Sequence, residues 1–228
     1  MVGVVGYAWA MCGRFTLTAP DLAALAKEWA AELDAALAGR WRPRFNVAPG
    51  NEHPVLMVSG GCRRLVAATF GMAGEREGQL FINARVESAA RRPAFRQAFA
   101  SRRAAVLADG FFEWEGPPSA RRPTWFHLRS GRPMLLAALL GPAPGGGTGF
   151  AVLTTGAGPP VRALHDRMPV LLPPALLEAW LSGSPPPLPG PAGEELAARP
   201  VSARINSVEN DDPDCLAPRQ PDRQGNLF

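Results

Sequence analysis

The stretch AAVLADGFFEWEG, residues 104–116, predicts a strand, a turn and a second strand. Short apolar runs of the same kind recur on both sides of it and are bounded by Gly, Pro or polar residues, as is typical of strands joined by turns. The runs are RFNVAPGNEHPVLMV (44–58), RRLVAATFGM (63–72), LFINARVES (80–88), FAVLTT (150–155), RMPVLL (167–172) and RPVSARINSV (199–208). Residues 123–141 predict a hairpin that turns at Ser130-Gly131.

A few segments predict helices beside these strands. Apolar residues recur every three or four positions at Leu22, Leu25, Trp29, Leu33 and Leu37. This spacing predicts a helix with one apolar face that ends near Gly39. Residues 92–103 and 173–183 predict shorter helices. Many short strands with a few helices indicate an α+β fold, a single domain built on a twisted antiparallel sheet or open β-barrel core with flanking helices.

The composition narrows the possible functions. The chain has 228 residues, a net charge of +4 and only one lysine, Lys27, among its 24 basic residues. The positive charge suits a nucleic-acid partner without establishing one. No apolar run approaches the roughly 18 residues of a membrane span, so no membrane partner is expected. Cys12, Cys62 and Cys215 are too far apart for a disulfide framework or a zinc site, which indicates a reducing compartment such as the cytoplasm and no metal or cofactor.

The sequence predicts that residues at both ends of the chain lie outside the folded domain. The string MCGRF begins at Met11, which suggests that residues 1–10 are a leader that is removed or is never made. An Ala-x-Ala pattern at residues 8–10 raises the alternative of a signal peptide, but the basic start that such a peptide needs is missing. Residues 210–228 are polar and rich in Pro, and they predict a flexible tail. The domain itself is therefore expected over residues 11–209.

Several polar residues stand where apolar ones would be expected. Asn83 and Arg85 follow an apolar run, and Glu113 lies between two aromatic residues. A carboxyl group between aromatic rings is poorly hydrated, which raises its pKa toward the range useful for acid–base catalysis. His165 and Arg167 flank an aspartate just before a predicted strand. Each of these residues alone also fits a structural role.

Taken together, six segments resemble a known family. In order along the chain they are MCGRFTL, FNVAPG, FINARVES, ADGFFEW, LHDRMPVLL and PVSARINSV. This set closely resembles the SOS-response-associated peptidase family, whose members process and shield abasic sites in DNA. The resemblance runs from Met11 to about Val208. It implies that the substrate is single-stranded DNA with an abasic site, that the protein acts as a monomer in the DNA damage response, and that it works at the nucleoid.

The resemblance also implies a role for each matching residue. Family members lose the initiator Met, and the new N-terminal Cys, here Cys12, bonds covalently to the abasic deoxyribose. Asn83 would hold the opened sugar, and Glu113 would be required for crosslink formation. His165 would act in ring opening of the sugar and in reversal of the adduct. The phosphate contacts of the family match Arg14 and Arg85, with Arg167 as a weaker match.

The chemistry explains why Cys12 would have to be first. An N-terminal cysteine offers an amine, which forms an imine with the aldehyde of an opened abasic site, and a thiol, which closes on the imine to a thiazolidine. An α-amine with a pKa near 8 is roughly a quarter neutral at about pH 7.5, whereas a lysine is only about a thousandth neutral there. An internal Cys12 has its nitrogen tied up in an amide. The function implied by the family therefore requires that residues 1–11 be absent.

Two other classes of function stay open at this point. A cysteine peptidase would pair Cys12 with His165, and it would cleave its own leader or other proteins. A plain single-strand-binding module would bind intact DNA as tightly as abasic DNA, without a covalent bond. One departure from the family bears on DNA binding: its Trp-rich stretch is replaced here by FGMAGE, residues 70–75. An aromatic residue that would stack on bases is therefore missing or replaced.

The last residues suggest a protein partner. Gln224, Leu227 and Phe228 match the Q-x-x-L-F spacing, which resembles the motif that binds the bacterial sliding clamp. A short peptide of this kind can place Leu and Phe in a preformed apolar pocket while Gln bonds at the rim. The sequence therefore predicts the sliding clamp as a possible second partner.

Overall fold

The computed structural model describes residues 12–182, 185–188 and 195–220. Strands make up most of the regular structure in these residues. They are β1 (Phe15–Leu17), β2 (Glu32–Leu33), β3 (Arg44–Val47), β4 (Glu52–Ser59), β5 (Cys62–Phe70), β6 (Met72–Ala73), β7 (Leu80–Phe81), β8 (Asn83–Arg85), β9 (Arg103–Ala108), β10 (Gly110–Glu115), β11 (Arg122–Leu128), β12 (Met134–Pro142), β13 (Thr148–Gly156), β14 (Arg167–Pro169) and β15 (Leu196–Pro200).

The helices are short and fall between the strands. They are α1 (Leu22–Glu28), α2 (Ala35–Ala38), α3 (Val86–Ala89), α4 (Pro93–Ser101) and α5 (Leu177–Leu181). Turns of 3₁₀ helix lie at Pro118–Ala120, Val161–Ala163, Pro174–Leu176, Ala203–Asn206 and Pro213–Leu216. Among the described residues, no helix has both the length and the apolar character needed to cross a bilayer.

The strands form two large sheets. The first has the order β15-β11-β10-β1-β3, and all of its pairs are antiparallel. The second runs β14-β13-β12-β9-β4-β5-β2, with β8 beside β13. β5 also pairs in parallel with β13, so the middle of this sheet closes on itself. The predicted α+β class with a twisted, largely antiparallel sheet is confirmed.

Alternating side chains divide the second sheet into two buried faces. One face packs against the helices, and its cluster includes Leu56, Leu107, Leu139, Phe95 and Trp180. The other face packs against the first sheet, and its cluster includes Val55, Val106, Phe15, Phe111 and Phe126. The far side of the first sheet is covered by a smaller cluster of Phe112, Val201, Ile205 and Cys215. The order of layers is therefore helices, second sheet, first sheet and C-terminal turns.

Two tight turns in the sheets depend on glycine. The chain passes from β9 in the second sheet to β10 in the first at Asp109-Gly110. A Cβ atom at Gly110 would lie 2.1 Å from Nε1 of Trp125, so only glycine fits this crossing. The turn between β4 and β5 uses positive φ angles at Gly60 and Gly61, and it leaves Cys62 exposed at the surface.

The single helix predicted from Leu22 to Leu37 is wrong. The structure has α1 and α2 with β2 between them. Ala30 takes a φ of +50°, and Leu33 then pairs in parallel with Leu65 of β5. Pairing with the sheet therefore overrides the helical periodicity, although the apolar residues Leu22, Leu25, Trp29 and Leu37 are buried as predicted.

The predicted hairpin in residues 123–141 is also wrong. Its strands β11 and β12 exist, but β11 pairs with β10 and β15, whereas β12 pairs with β9 and β13. The turn at Ser130-Gly131 therefore connects two packed sheets rather than two neighbouring strands. The last predicted strand, residues 199–208, is shorter than expected, because the chain leaves β15 after Pro200 and turns into 3₁₀ helix.

The structure departs from the predicted flexible tail over residues 210–220. Asp211 accepts hydrogen bonds from the amides of Phe45 and Asn46, at 2.7 and 3.0 Å, and from Nε of Arg44 at 2.5 Å. Cys215 is buried under the first sheet. The polar composition did not indicate disorder here, because the side chain of Asp211 bonds to β3 and that of Asp212 bonds to Arg204.

Candidate functional site

Cys12 and Glu113 form the centre of the site. Cys12 precedes β1 and is fully buried in the cluster between the two sheets. Glu113 lies on β10, on the same inward face as Phe111, and is only 3% exposed. The backbone nitrogen of Cys12 donates a hydrogen bond to Oε1 of Glu113 at 3.0 Å. Two residues that are 101 positions apart in the chain are thus in direct contact. One of them is the cysteine of the MCGRF motif.

The surroundings change the ionisation of both groups. Burial raises the pKa of the Glu113 carboxyl to about 8; the hydrogen bond from Cys12 partly opposes this, and the charge of Asp166 adds to it. Burial, and next the nearby Glu113, raise the pKa of the Cys12 thiol well above its ordinary value. At neutral pH the site therefore holds a protonated carboxyl beside a neutral thiol.

His165 lies in a turn held by backbone hydrogen bonds. Its amide donates to the carbonyl of Val161 at 2.9 Å, and its Nδ1 accepts from the amide of Arg167 at 3.0 Å. The carboxylate of Asp166 lies 3.0 Å from the same Nδ1. The amide of Arg167 needs an unprotonated Nδ1 as its acceptor, whereas the carboxylate of Asp166 favours a proton on that nitrogen.

Asn83 lies in β8, next to the middle of the second sheet. β8 pairs in parallel with β13, with Asn83 opposite Val152. The side-chain Nδ2 of Asn83 is buried and has no hydrogen-bond partner among the described residues. Buried donors are nearly always paired, so an unpaired one indicates a place where a bound molecule would accept a hydrogen bond.

The three predicted arginines differ in their surroundings. Arg85 is exposed at the start of α3. Arg167 is mostly buried and forms an ion pair with Glu87 through both terminal nitrogens, at 2.6 and 2.8 Å. Arg14 donates to Oδ1 of Asn46 at 2.8 Å and lies over the ring of Trp114. The structure thus leaves Arg85 more accessible to a phosphate than Arg167.

Sequence reasoning missed the residues that hold Arg14. Nη1 of Arg14 also donates to the carbonyl of Ile205 at 3.0 Å. Nδ2 of Asn46 donates to the carbonyls of Ser207 and Asn210 at 2.9 and 2.6 Å, which fastens the C-terminal turns beside Arg14. The motif FNVAPG contains Asn46, so the signal was present, but the partner carbonyls come from a segment far along the chain.

The segments that carry these residues meet in one apolar cluster. It contains Cys12, Ile82 just before Asn83, and Val161 and Met168 on either side of the His165 turn. The charge of Asp166 also acts on Glu113. The fold thereby puts Cys12 in contact with Glu113, and it places the segments of Asn83 and His165 against the same cluster. Residues Gln224, Leu227 and Phe228 lie outside the described part of the chain.

Comparison with known proteins shows the family of this chain. A family model described as SOS response associated peptidase matches residues 11–208. The chain belongs to the SOS response associated peptidase family. The matched region contains each predicted residue of the site from Cys12 to Arg167, and the predicted resemblance is confirmed.

Individual members of the family extend over most of the chain. The chain is 30% identical to the abasic site processing protein YedK of Escherichia coli, over 91% of this chain and 100% of that protein. It is 29% identical to the abasic site processing protein YoqW of Bacillus subtilis, over 90% and 99% of the two chains. It is 26% identical to the abasic site processing protein HMCES of Gallus gallus, over 79% of this chain and 67% of that protein.

Solved structures show the same fold. A protein of Bacteroides thetaiotaomicron superimposes with a TM-score of 0.78 at 17% identity, over 92% of this chain and 100% of that chain. A protein of Bordetella bronchiseptica superimposes with a TM-score of 0.66 at 24% identity, over 84% and 100%. At these identities the likeness concerns the fold alone.

Residues 70–75, where the family resemblance predicted a missing or replaced aromatic residue, lead into a hairpin without an exposed aromatic residue at its tip. Phe70, which begins the replacement stretch, is fully buried and stacks on Phe150 with ring centroids 5.1 Å apart. β6 and β7 then pair through Met72 and Phe81, and the loop between them exposes Glu75, Arg76 and Glu77. Phe70 is therefore a core residue and is not available to stack on a base.

Proposed function

We propose that this protein processes abasic sites by forming a thiazolidine crosslink between Cys12 and the opened deoxyribose in single-stranded DNA. The proposal requires removal of residues 1–11, which frees the nitrogen of Cys12 as an α-amine. The observation that carries it is the hydrogen bond of 3.0 Å between this nitrogen and the carboxyl of Glu113. Membership of a family whose relatives are named abasic site processing proteins supports the choice of lesion.

The raised pKa of Glu113 suits it to activate that amine. In water a carboxyl near 4.3 and an α-amine near 8 differ by about four pKa units, so the pair stays ionised and the amine is not nucleophilic. In the full chain, where the nitrogen of Cys12 is an amide, burial brings the pKa of Glu113 to about 8, close to that of a free α-amine. The proton can then move between the two groups at little cost, which supplies the neutral amine where it is needed.

The covalent steps follow from these groups. The neutral amine of Cys12 attacks the aldehyde carbon, and the resulting carbinolamine loses water to give an imine. Glu113 donates a proton to the departing hydroxyl, and it takes back the proton that the nitrogen loses as the C=N bond forms. The thiol of Cys12 then adds across the imine: its sulfur bonds to the carbon and its proton goes to the nitrogen. Because the sulfur enters as a neutral thiol, the raised pKa of Cys12 does not prevent this step.

Asn83 and His165 act on the sugar in this proposal. The unpaired Nδ2 of Asn83 would donate to a hydroxyl of the opened deoxyribose. His165, whose Nδ1 is occupied by the amide of Arg167, offers Nε2 as its proton donor and would assist ring opening and reversal of the adduct. Arg14 and Arg85 would contact the flanking phosphates. For Arg167 a phosphate contact remains a prediction, since Glu87 already binds its terminal nitrogens.

A cysteine peptidase is the second candidate and is favoured less by the site. Such enzymes stabilise the thiolate with an adjacent histidine or another positive group, which lowers the pKa of the thiol. Here Cys12 contacts a carboxyl group, that of Glu113, and burial raises the pKa of the thiol. The intact mass of the purified protein tests whether the leader is removed, because it shows whether the chain begins at Cys12.

Denaturing electrophoresis with abasic single-stranded DNA tests the proposal. Protein that begins at Cys12 should give a band of protein joined to DNA that survives heating in detergent. A non-covalent single-strand-binding module would give no such band and would bind intact DNA equally well. Absence of the band under conditions where the protein is folded would refute the crosslinking function.

The proposed phosphate contacts predict salt-dependent binding. Replacement of Arg85 with alanine should weaken binding to all DNA sequences about equally, since phosphates carry no sequence information. The slope of log Kd against log salt should also fall by about 0.7, the value for one contact to a single strand. Arg64, which lies on β5 and is paired with Glu32, offers a control in Arg64→Ala. Equal salt slopes for Arg85→Ala and the unchanged protein would remove Arg85 from the DNA contact.

The last residues suggest a contact with the sliding clamp. Burial of the side chains of Leu227 and Phe228 would contribute about 1.5–3 kcal/mol each, and ordering of the peptide offsets part of this, so we expect micromolar affinity. Titration of a labelled clamp with the last ten residues measures it, beside a peptide with both residues replaced by alanine. If neither peptide binds, or if both bind alike, the clamp is not a partner of this segment.

A further inference from the structure

We propose that Glu87 is a positioning residue that acts through Arg167: it keeps the ring proton of His165 on Nε2 and joins the His165 turn to the segment of Asn83. The catalytic part of this inference rests on the proposed function, in which His165 and Asn83 handle the sugar. The structural part concerns the protein without DNA. The structural part is based on the contacts that the guanidinium of Arg167 makes.

The guanidinium of Arg167 connects three elements of the fold. Nη1 and Nη2 bind the two oxygens of Glu87 on α3 at 2.6 and 2.8 Å, and Nη2 also donates to the carbonyl of Thr154 on β13 at 2.7 Å. Thr154 pairs with β8 on one edge of β13 and with β14 on the other. The side chain of Arg167 therefore reaches across β13 and joins the strand after His165 to the helix after Asn83.

The backbone of Arg167 sets the tautomer of His165. Its amide donates to Nδ1 of His165 at 3.0 Å, so the neutral ring carries its proton on Nε2. The carboxylate of Asp166 lies equally close to Nδ1 and would favour a proton there. The side chain of Asp166 is 87% exposed, however, so water competes for it, whereas the amide of Arg167 is held in β14.

Burial makes the position of Arg167 depend on Glu87. The side chain of Arg167 is 13% exposed and that of Glu87 is 52% exposed. Nε of Arg167 has no partner in the described residues, so Glu87 and Thr154 are the groups that compensate for its burial. Without Glu87 a mostly buried guanidinium would lose its counter-ion, which is strongly unfavourable. We expect the side chain to move toward solvent and the turn that holds His165 to relax with it.

The tautomer can be measured on the protein alone. Long-range ¹H–¹⁵N spectra distinguish protonated from unprotonated ring nitrogens, and Glu87→Ala should give His165 a mixture of tautomers where the unchanged protein has Nε2–H. Glu178→Ala is the matched control, because Glu178 makes a similar pair with Arg63, at 2.6 Å, elsewhere on the surface. Glu87→Gln keeps the shape and one acceptor oxygen, so it replaces the alanine variant if that one unfolds. A single Nε2–H tautomer in the folded Glu87 variant would overturn the proposal.

Kinetics separate positioning from a phosphate contact. At saturating abasic DNA, Glu87→Ala in protein that begins at Cys12 should form the adduct between about tenfold and about a hundredfold more slowly, as expected when a reacting group is displaced by a fraction of an ångström or more. Affinity for intact single-stranded DNA should match that of Glu178→Ala. A change in affinity with no change in rate would instead mean that Glu87 masks a phosphate site. If the unchanged protein forms no adduct, the proposed function is refuted. The tautomer measurement on the protein alone then still tests the role of Glu87.

Discussion

Protein that begins at residue 12 and carries Cys12→Ala is expected to form no heat-stable adduct with abasic DNA. The variant keeps the α-amine beside Glu113, so an imine still forms, but no thiol is present to close the ring. An imine hydrolyses, whereas reduction makes it permanent. Addition of cyanoborohydride should therefore restore a covalent band, and electrophoresis with and without the reductant measures both effects.

Matched variants make this result specific. Cys215→Ala removes another buried thiol that lies under the far side of the first sheet, and it should leave the adduct unchanged. Protein that retains residues 1–11 has an amide at Cys12 and should give no heat-stable adduct without the reductant. Equal crosslinking by that longer protein, with its intact mass verified, would contradict the terminal-amine chemistry.

Replacement of Glu113 with glutamine is expected to slow adduct formation by a factor of about 10²–10⁴, the usual effect of removing a general acid–base group. Glutamine keeps the size of the side chain and an oxygen that can accept from the nitrogen of Cys12, but it exchanges no proton. Single-turnover time courses at neutral pH measure the rate. Glu115→Gln is the control, since Glu115 lies two residues further along β10 and pairs at the surface with Arg122. Equal rates for the two variants would exclude the proton-transfer role.

The stability of the same variant reports on the buried carboxyl. In the full chain, folding raises the pKa of Glu113 from an ordinary value of 4.5 to about 8. A group whose pKa is raised by folding stabilises the folded state most at a pH below its unfolded pKa. This stabilisation is lost as the pH rises through the folded pKa. The unfolding free energy of the unchanged chain should therefore fall, relative to that of Glu113→Gln, as the pH rises from 4.5 toward 8. Urea unfolding at about pH 5 and about pH 8.5 measures this difference; a constant difference would mean that the carboxyl is not buried in its protonated form.

Local sequence patterns predicted which segments form strands better than they predicted which strands pair with each other. The apolar runs of β9, β10, β11 and β12 were found because burial on one or both faces leaves a direct trace in the sequence. The pairing of β11 and β12 was missed because a turn between two sheets has the same Gly and polar residues as a hairpin turn. Pairing is decided by contacts between distant segments, which single-chain periodicity does not record.

The same limit applies to the site. The unusual position of Glu113 between aromatic residues was visible in the sequence, and the family resemblance identified Cys12 as its counterpart. The contact between them, across 101 positions, depends on the pairing of β1 with β10. Glu87 and Asn46 were missed although both lie in family motifs, because their partners come from remote segments: Arg167 on β14, and the carbonyls near Ile205.

The burial of Cys12 also bears on how long the protein stays usable in an oxidising environment. Oxidation of cysteine to sulfenic acid requires the thiolate and access for the oxidant. Cys12 lacks both, because it is fully buried and the pKa of its thiol is raised, whereas Cys62 lies exposed at the turn after β4. Peroxide should therefore modify Cys62 well before Cys12. The residue that we propose as the nucleophile is thus protected from oxidation under conditions that modify the exposed cysteine.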